Sequence, residues 1–141
     1  MRILLVAVLG CISMIACTKQ THEENSDAIT GKWEVRKEVG GFAGIIQYEP
    51  GQGPLYEFSA DNKFSVDRIF LPGGGQWSGT YQLKTSRRPG DWLLVLSYVN
   101  TQTGQTQMTT DSIRFEKKQL IFLPAASCCD IPTTFLERVL H

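Results

Sequence analysis

Tyr56-Glu57-Phe58-Ser59-Ala60-Asp61-Asn62-Lys63-Phe64-Ser65-Val66 is the stretch on which the fold turns. Apolar side chains recur every second residue on both sides of Asp61-Asn62, a pair of residues that tolerates the backbone of a tight turn. Period two places Tyr56, Phe58, Phe64 and Val66 on one face and the polar residues on the other, so the segment predicts an antiparallel hairpin with one buried side.

The same alternation continues outward. Upstream, Trp33, Val35 and Val39 share one face of a strand, with Lys32, Glu34, Arg36 and Glu38 on the other. Downstream, Trp77, Tyr81 and Leu83 alternate with Ser78, Thr80 and Gln82. Asp91 to Val99 is apolar on both faces, and three further strands are expected at Thr106–Glu116, Gln119–Leu123 and Thr134–Leu140. About eight strands at meander spacing, with little helix, predict an all-β antiparallel barrel or sandwich.

The connections favour the barrel. Gly40 to Pro54, Pro72 to Gly75, Asn100 to Gln105 and Pro124 to Thr133 are long or rich in glycine. Asp61-Asn62, Ser86 to Gly90 and Lys117-Lys118 are shorter. In an up-and-down meander, alternate connections lie at opposite ends, so the loose ones share one open mouth and the tight ones a pinched floor. Closure also removes exposed sheet edges. Within the mouth connection, Phe42, Ile45, Ile46 and Tyr48 are expected to fold inward as a lid, with an exposed contact patch as the alternative.

The beginning of the chain is of another kind. Arg2 precedes the apolar run Ile3 to Leu9, which is shorter than a bilayer span, and Ala16 is the small residue before the expected cut, as in a secretory signal. Met14-Ile15-Ala16-Cys17 resembles a bacterial lipobox. The resemblance implies that residues 1–16 are removed and that Cys17 becomes the lipid-bearing first residue. Polar, aromatic-free residues 17–30 then read as a flexible tether, and 31–141 as the barrel domain. Within the tether, Glu23-Glu24 reads as a solubilising linker or as a sorting signal.

Composition narrows the function classes. Acidic and basic residues are equal in number, at 14 each, so no basic excess points to nucleic acid as partner. With Cys11 in the leader and Cys17 lipidated, Cys128 and Cys129 are the cysteines left to the domain, and a disulfide framework is excluded. Neighbouring Cα atoms lie closer than an ordinary disulfide allows, so the pair reads as a strained vicinal disulfide or two packed thiols, in preference to a reactive redox or metal-binding pair. His22 and His141 lie outside the strands, and no cysteine pair has ligand spacing. No metal site, cofactor or catalytic pair is therefore expected, and the chain does not read as an enzyme.

Gly31-Lys32-Trp33 is similar to the Gly-x-Trp signature of lipocalins, whose Trp lies across the barrel floor beneath an Arg from late in the barrel; Arg138 is the fitting match. The chain looks more closely like the short lipocalin-like lipoproteins common in Bacteroidota. The similar pieces are Gly40-Gly41-Phe42-Ala43-Gly44, the turn from Phe58 to Phe64, Ser78-Gly79-Thr80-Tyr81 and Cys128-Cys129-Asp130. The resemblance implies an eight-stranded lipocalin-like barrel in the cell envelope, lipid-anchored, in the outer membrane on its periplasmic or surface face.

Strict alternation also assigns an interior. Trp33, Phe58, Phe64, Leu83, Phe115 and Phe122 would form an apolar base. Lys37 lies four residues above Trp33, Arg68 four above Phe64, and Asp111 four above Phe115, which is roughly 13 Å up each strand. With Trp77 and Tyr81 these make the candidate site for a small apolar or amphipathic ligand, its anionic head on the two cations. The alternatives are a filled core without ligand, with Arg68 paired to Asp111, and a module that binds an envelope protein through its mouth loops.

Overall fold

The computed structural model describes residues 28–41, 43–68, 75–100, 103–124 and 131–140, with Arg68 and Gly75 described by their backbone alone. Cys17, Phe42, Cys128 and Cys129 lie outside the described residues.

Among the described residues, nine strands form a single antiparallel sheet: β1 (Gly31–Val39), β2 (Ile45–Gln47), β3 (Leu55–Phe58), β4 (Lys63–Arg68), β5 (Gly75–Thr85), β6 (Asp91–Val99), β7 (Thr106–Glu116), β8 (Gln119–Leu123) and β9 (Thr133–Arg138). Neighbours in sequence are neighbours in the sheet from β3 to β9, and β1 pairs with β9 to close it. β2 pairs with the upper half of β1, and β3 with its lower half, so together they occupy one strand position. The result is a closed, up-and-down, eight-position barrel. Expected limits of β6, β7 and β8 coincide with the observed ones; β9 begins at Thr133 and ends at Arg138.

The split strand revises the long mouth connection. Ile45 and Ile46 belong to a strand, and Tyr48 extends it, its N–H donating to the Arg36 carbonyl at 3.0 Å. Ile45 points outward and is exposed, while Tyr48 packs against the core. The expected lid is therefore wall in these residues. Between the halves, residues 49–54 leave the sheet and fold back over β1, where the Gly53 N–H donates to Glu34 Oε1 at 3.0 Å and the Pro54 carbonyl accepts from Val35 at 2.9 Å. Any Cβ on Gly53 would stand 1.9 Å from the Val35 carbonyl oxygen, so only glycine permits this approach.

At the same level β1 carries a bulge. Its register against β9 shifts between Val35 and Lys37, leaving Arg36 as the extra residue. The shift reverses the faces above it. Glu38 takes the inward position that alternation gives to Lys37, and Val39 turns out as well.

The lower barrel is filled. Trp33, Val35, Phe58, Phe64, Tyr81, Leu83, Leu94, Ile113, Leu120 and Leu136 form the buried cluster, with Phe115 and Phe122 packed against it. Phe58 meets Tyr81 edge-on at 5.2 Å between ring centres, a favoured aromatic geometry. The β3–β4 turn is one residue longer than Asp61-Asn62 implies. Ser59 pairs with Lys63 across three residues, and Asn62 takes a left-handed backbone with φ of 61°.

Candidate functional site

The floor is closed by four residues acting together. Trp33 crosses it and donates Nε1–H to the Ile29 carbonyl at 2.6 Å. The Arg138 guanidinium lies 4.7 Å from the centre of the Trp33 ring and donates to the Ala28 carbonyl at 2.7 Å. Ile29 itself is completely buried. The folded unit therefore starts no later than Ala28, before the expected tether ends at Thr30. An apolar Ile at the end of a polar stretch carries no periodicity of its own, so a polarity reading passes over it.

Above the base, toward the mouth, lies an open cavity of about 270 Å³. One wall is aromatic: Trp77 stacks on Tyr98 with ring centres 4.7 Å apart and planes 24° from parallel, and Tyr56 continues the surface toward Phe122 at 5.5 Å. The register explains the grouping. Trp33, Tyr56, Val66 and Trp77 are successive partners across β1, β3, β4 and β5, all facing in. On the other side, Glu38, Thr134, Phe122 and Ile113 are successive partners across β1, β9, β8 and β7, with Asp111 one inward step above Ile113. Glu38, Thr134, Asp111 and Thr109 give this wall its polar atoms.

The five candidate side chains separate. Trp77 and Asp111 line the cavity. Tyr81 does not: it is buried in the base, where its hydroxyl donates to the Ser59 carbonyl at 3.0 Å and ties the β3–β4 turn to the barrel. Lys37 is on the outer surface, its Nζ 5.9 Å from the centre of the Phe135 ring, because the Arg36 bulge turns it out. Arg68 ends β4 at the level of the mouth, opposite Gly75, and its side chain is outside the described residues.

Alternation alone misses Glu38. Bulges are often marked by glycine, but Val35-Arg36-Lys37 carries no such mark. Tyr98 was in reach, since it shares a face with Leu94 and Leu96 on a strand read as apolar on both sides. Tyr48 supports Glu38: its hydroxyl donates to Oε2 at 3.0 Å. Burial, then the hydrogen bond and charge of Glu38, raise the Tyr48 pKa above its ordinary value, so the phenol remains a donor throughout the physiological range.

Comparison of the chain with protein-family models, curated proteins and solved structures gives no match. The cavity must speak for itself. With an apolar base, a stacked aromatic pair and a few convergent polar groups, it offers dispersion to a flat or branched apolar body and hydrogen bonds to one polar end. Its volume sits at the small end of ligand pockets, which excludes a large lipid lying wholly inside.

Proposed function

We propose that the chain is a lipocalin-like lipoprotein of the cell envelope that binds a small apolar or amphipathic molecule in the upper half of its barrel. The observation that carries this reading is the cavity of about 270 Å³ above a filled base, faced by Trp77 stacked on Tyr98. A barrel whose sole task is to be stable fills its mouth half as it fills its floor. The lipobox-like Met14-Ile15-Ala16-Cys17 and the floor made by Trp33 and Arg138 support the rest, with Cys17 as anchor and the outer membrane as location.

Native mass spectrometry of the protein taken from its own membrane in mild detergent tests it. A bound species of a few hundred daltons is expected, and Trp77→Ala should lose it while remaining folded. No bound species, and no thermal stabilisation by any member of a panel of small amphiphiles, would overturn the binding role.

A second reading rests on the rim. Ile45, Val99, Met108 and Ile131 are exposed and lie at the mouth end of their strands or connections, with Met108 70% accessible. Large apolar side chains in water on one rim are what a protein-binding module presents. A stable envelope partner recovered with the wild type and lost with Met108→Ser would favour it.

A further inference from the structure

The pole opposite the mouth carries cations that the barrel does not use. Lys84, Arg87 and Arg88 lie at the end of β5 and in the β5–β6 loop, and Lys117 and Lys118 form the β7–β8 turn. β6 and β7 pair from Asp91–Arg114 upward, so these connections are neighbours at one end of the barrel. All five side chains are exposed. Among the described residues, none takes part in an ion pair.

Most acids nearby are engaged by cations; Glu137, on β9 beside the β7–β8 turn, instead accepts from the Gln119 amide at 3.2 Å. Asp61 pairs with Lys63, Glu116 and the buried Asp91 both pair with Arg114, and Glu57 lies 3.9 Å from Lys32. The loops that hold the cations are ordered by their own bonds: Arg88 N–H donates to Ser86 Oγ at 3.2 Å, Asp91 N–H to the Arg88 carbonyl at 3.2 Å, and Lys117 takes a left-handed backbone with φ of 55°. Even with Asp91 and Glu116 sharing one Arg114 and Glu137 held by Gln119, the five cations leave this pole with a net positive excess in a chain with equal numbers of acids and bases.

The chain also enters the barrel at this pole, where Ala28 is bound by Arg138. From Cys17 to Ala28 the chain reaches no more than about 40 Å even at full extension. We propose that the floor is a membrane-apposed surface, with Lys84, Arg87, Arg88, Lys117 and Lys118 set against the anionic phosphate headgroups of the bilayer that holds the lipid anchor. The proposal rests on the anchored reading of Cys17. An anchor raises the local concentration of lipid headgroups around the domain, so modest attraction by a few cations suffices to orient it. That orientation points the cavity and its apolar rim away from the bilayer. Attraction of this kind weakens steeply with salt.

The test is amine footprinting of the full lipidated protein in lipid nanodiscs of zwitterionic phosphatidylcholine, with and without phosphatidylglycerol. Lys37, on the outer wall near the mouth, is the internal reference. In the discs containing phosphatidylglycerol, Lys84, Lys117 and Lys118 should react about threefold more slowly relative to Lys37, and high salt should erase the difference. Arg87→Gln/Arg88→Gln, which leaves every reporter lysine in place, should narrow it by about half. Protein that travels with both discs but shows equal relative rates would overturn the apposition while leaving the anchor standing. Protein that does not travel with the discs and carries no acyl mass on Cys17 would overturn the anchor and the apposition together.

Discussion

The two poles of this barrel are built on opposite plans. At the floor, each polar atom named on Trp33 and Arg138 has a backbone partner, and Ile29 closes the remaining gap. At the mouth, a stacked aromatic pair borders open space and Ile45, Val99, Met108 and Ile131 stand in water, whereas Leu140 is the large apolar side chain exposed near the floor among the described residues. Sealing an end with an indole, a guanidinium and two carbonyls satisfies donors and excludes water at once, which is how a small domain secures stability. Leaving the other end unfilled forgoes dispersion contacts that side chains there would make. The division assigns stability to the lower barrel and leaves the upper one with the space that the proposed binding requires.

The largest effect expected tests the boundary between the halves. Gly79 is the inward residue of β5 between Trp77 and Tyr81, opposite Tyr98. A Cβ there would stand 2.0 Å from the Ser97 carbonyl oxygen, a backbone atom that cannot move without breaking the β5–β6 pairing. Gly79→Ala should cost at least about 4 kcal/mol and leave little folded barrel, read by near-ultraviolet circular dichroism. A variant that folds and melts like the wild type would mean that the sheet flexes at this level, and the two halves would not be mechanically distinct.

How much of this was legible beforehand depends on whether a local break carries a chemical mark. β6, β7 and β8 could be delimited because each run lies between turn residues on both sides, β6 as a stretch apolar on both faces. The floor could be anticipated only through the resemblance of Gly31, Trp33 and Arg138 to a lipocalin pattern, and Arg138 does lie over the Trp33 ring. The site was harder. Arg36 bulges without glycine or proline to announce it, and one inserted residue exchanges Lys37 for Glu38 in the interior. The sign of charge facing the cavity from β1 was thereby reversed. The split between β2 and β3 was hidden for the complementary reason: Pro50, Gly51, Gly53 and Pro54 read as ordinary loop, whereas Gly53 is what lets that loop lie on β1.

Paired tryptophan truncations sharpen the comparison at intermediate size. Trp33→Ala removes a buried indole together with its bond to Ile29 and its contact with Arg138, and should cost about 3–5 kcal/mol in chemical denaturation. Trp77 is half-buried and borders space already empty, so Trp77→Ala should cost about 1–2 kcal/mol, chiefly the lost stacking on Tyr98. For the proposed ligand the ranking should reverse: Trp77→Ala should lose it, whereas any Trp33 variant that remains folded should keep it. Equal stability losses at the two sites would erase the distinction between a structural floor and a functional mouth.

The smallest effect is a dependence on pH. Tyr48 joins the wall to the cavity, packing on the core while its hydroxyl holds Glu38. Its pKa is raised in the folded protein, first by burial and then by the neighbouring carboxylate. The unfolded chain therefore releases the phenolic proton at a lower pH than the folded one does. Between the two values the folded state binds more protons, so stability falls as pH rises. The contribution is whole below the ordinary tyrosine range and lost as pH climbs through the raised value. Tyr48→Phe should flatten that alkaline decline while shifting the neutral-pH melting temperature by only a few degrees, the worth of one partly exposed hydrogen bond. If Tyr48→Phe leaves the alkaline limb unchanged, the phenol titrates alike in both states, and Glu38 faces the cavity without its help.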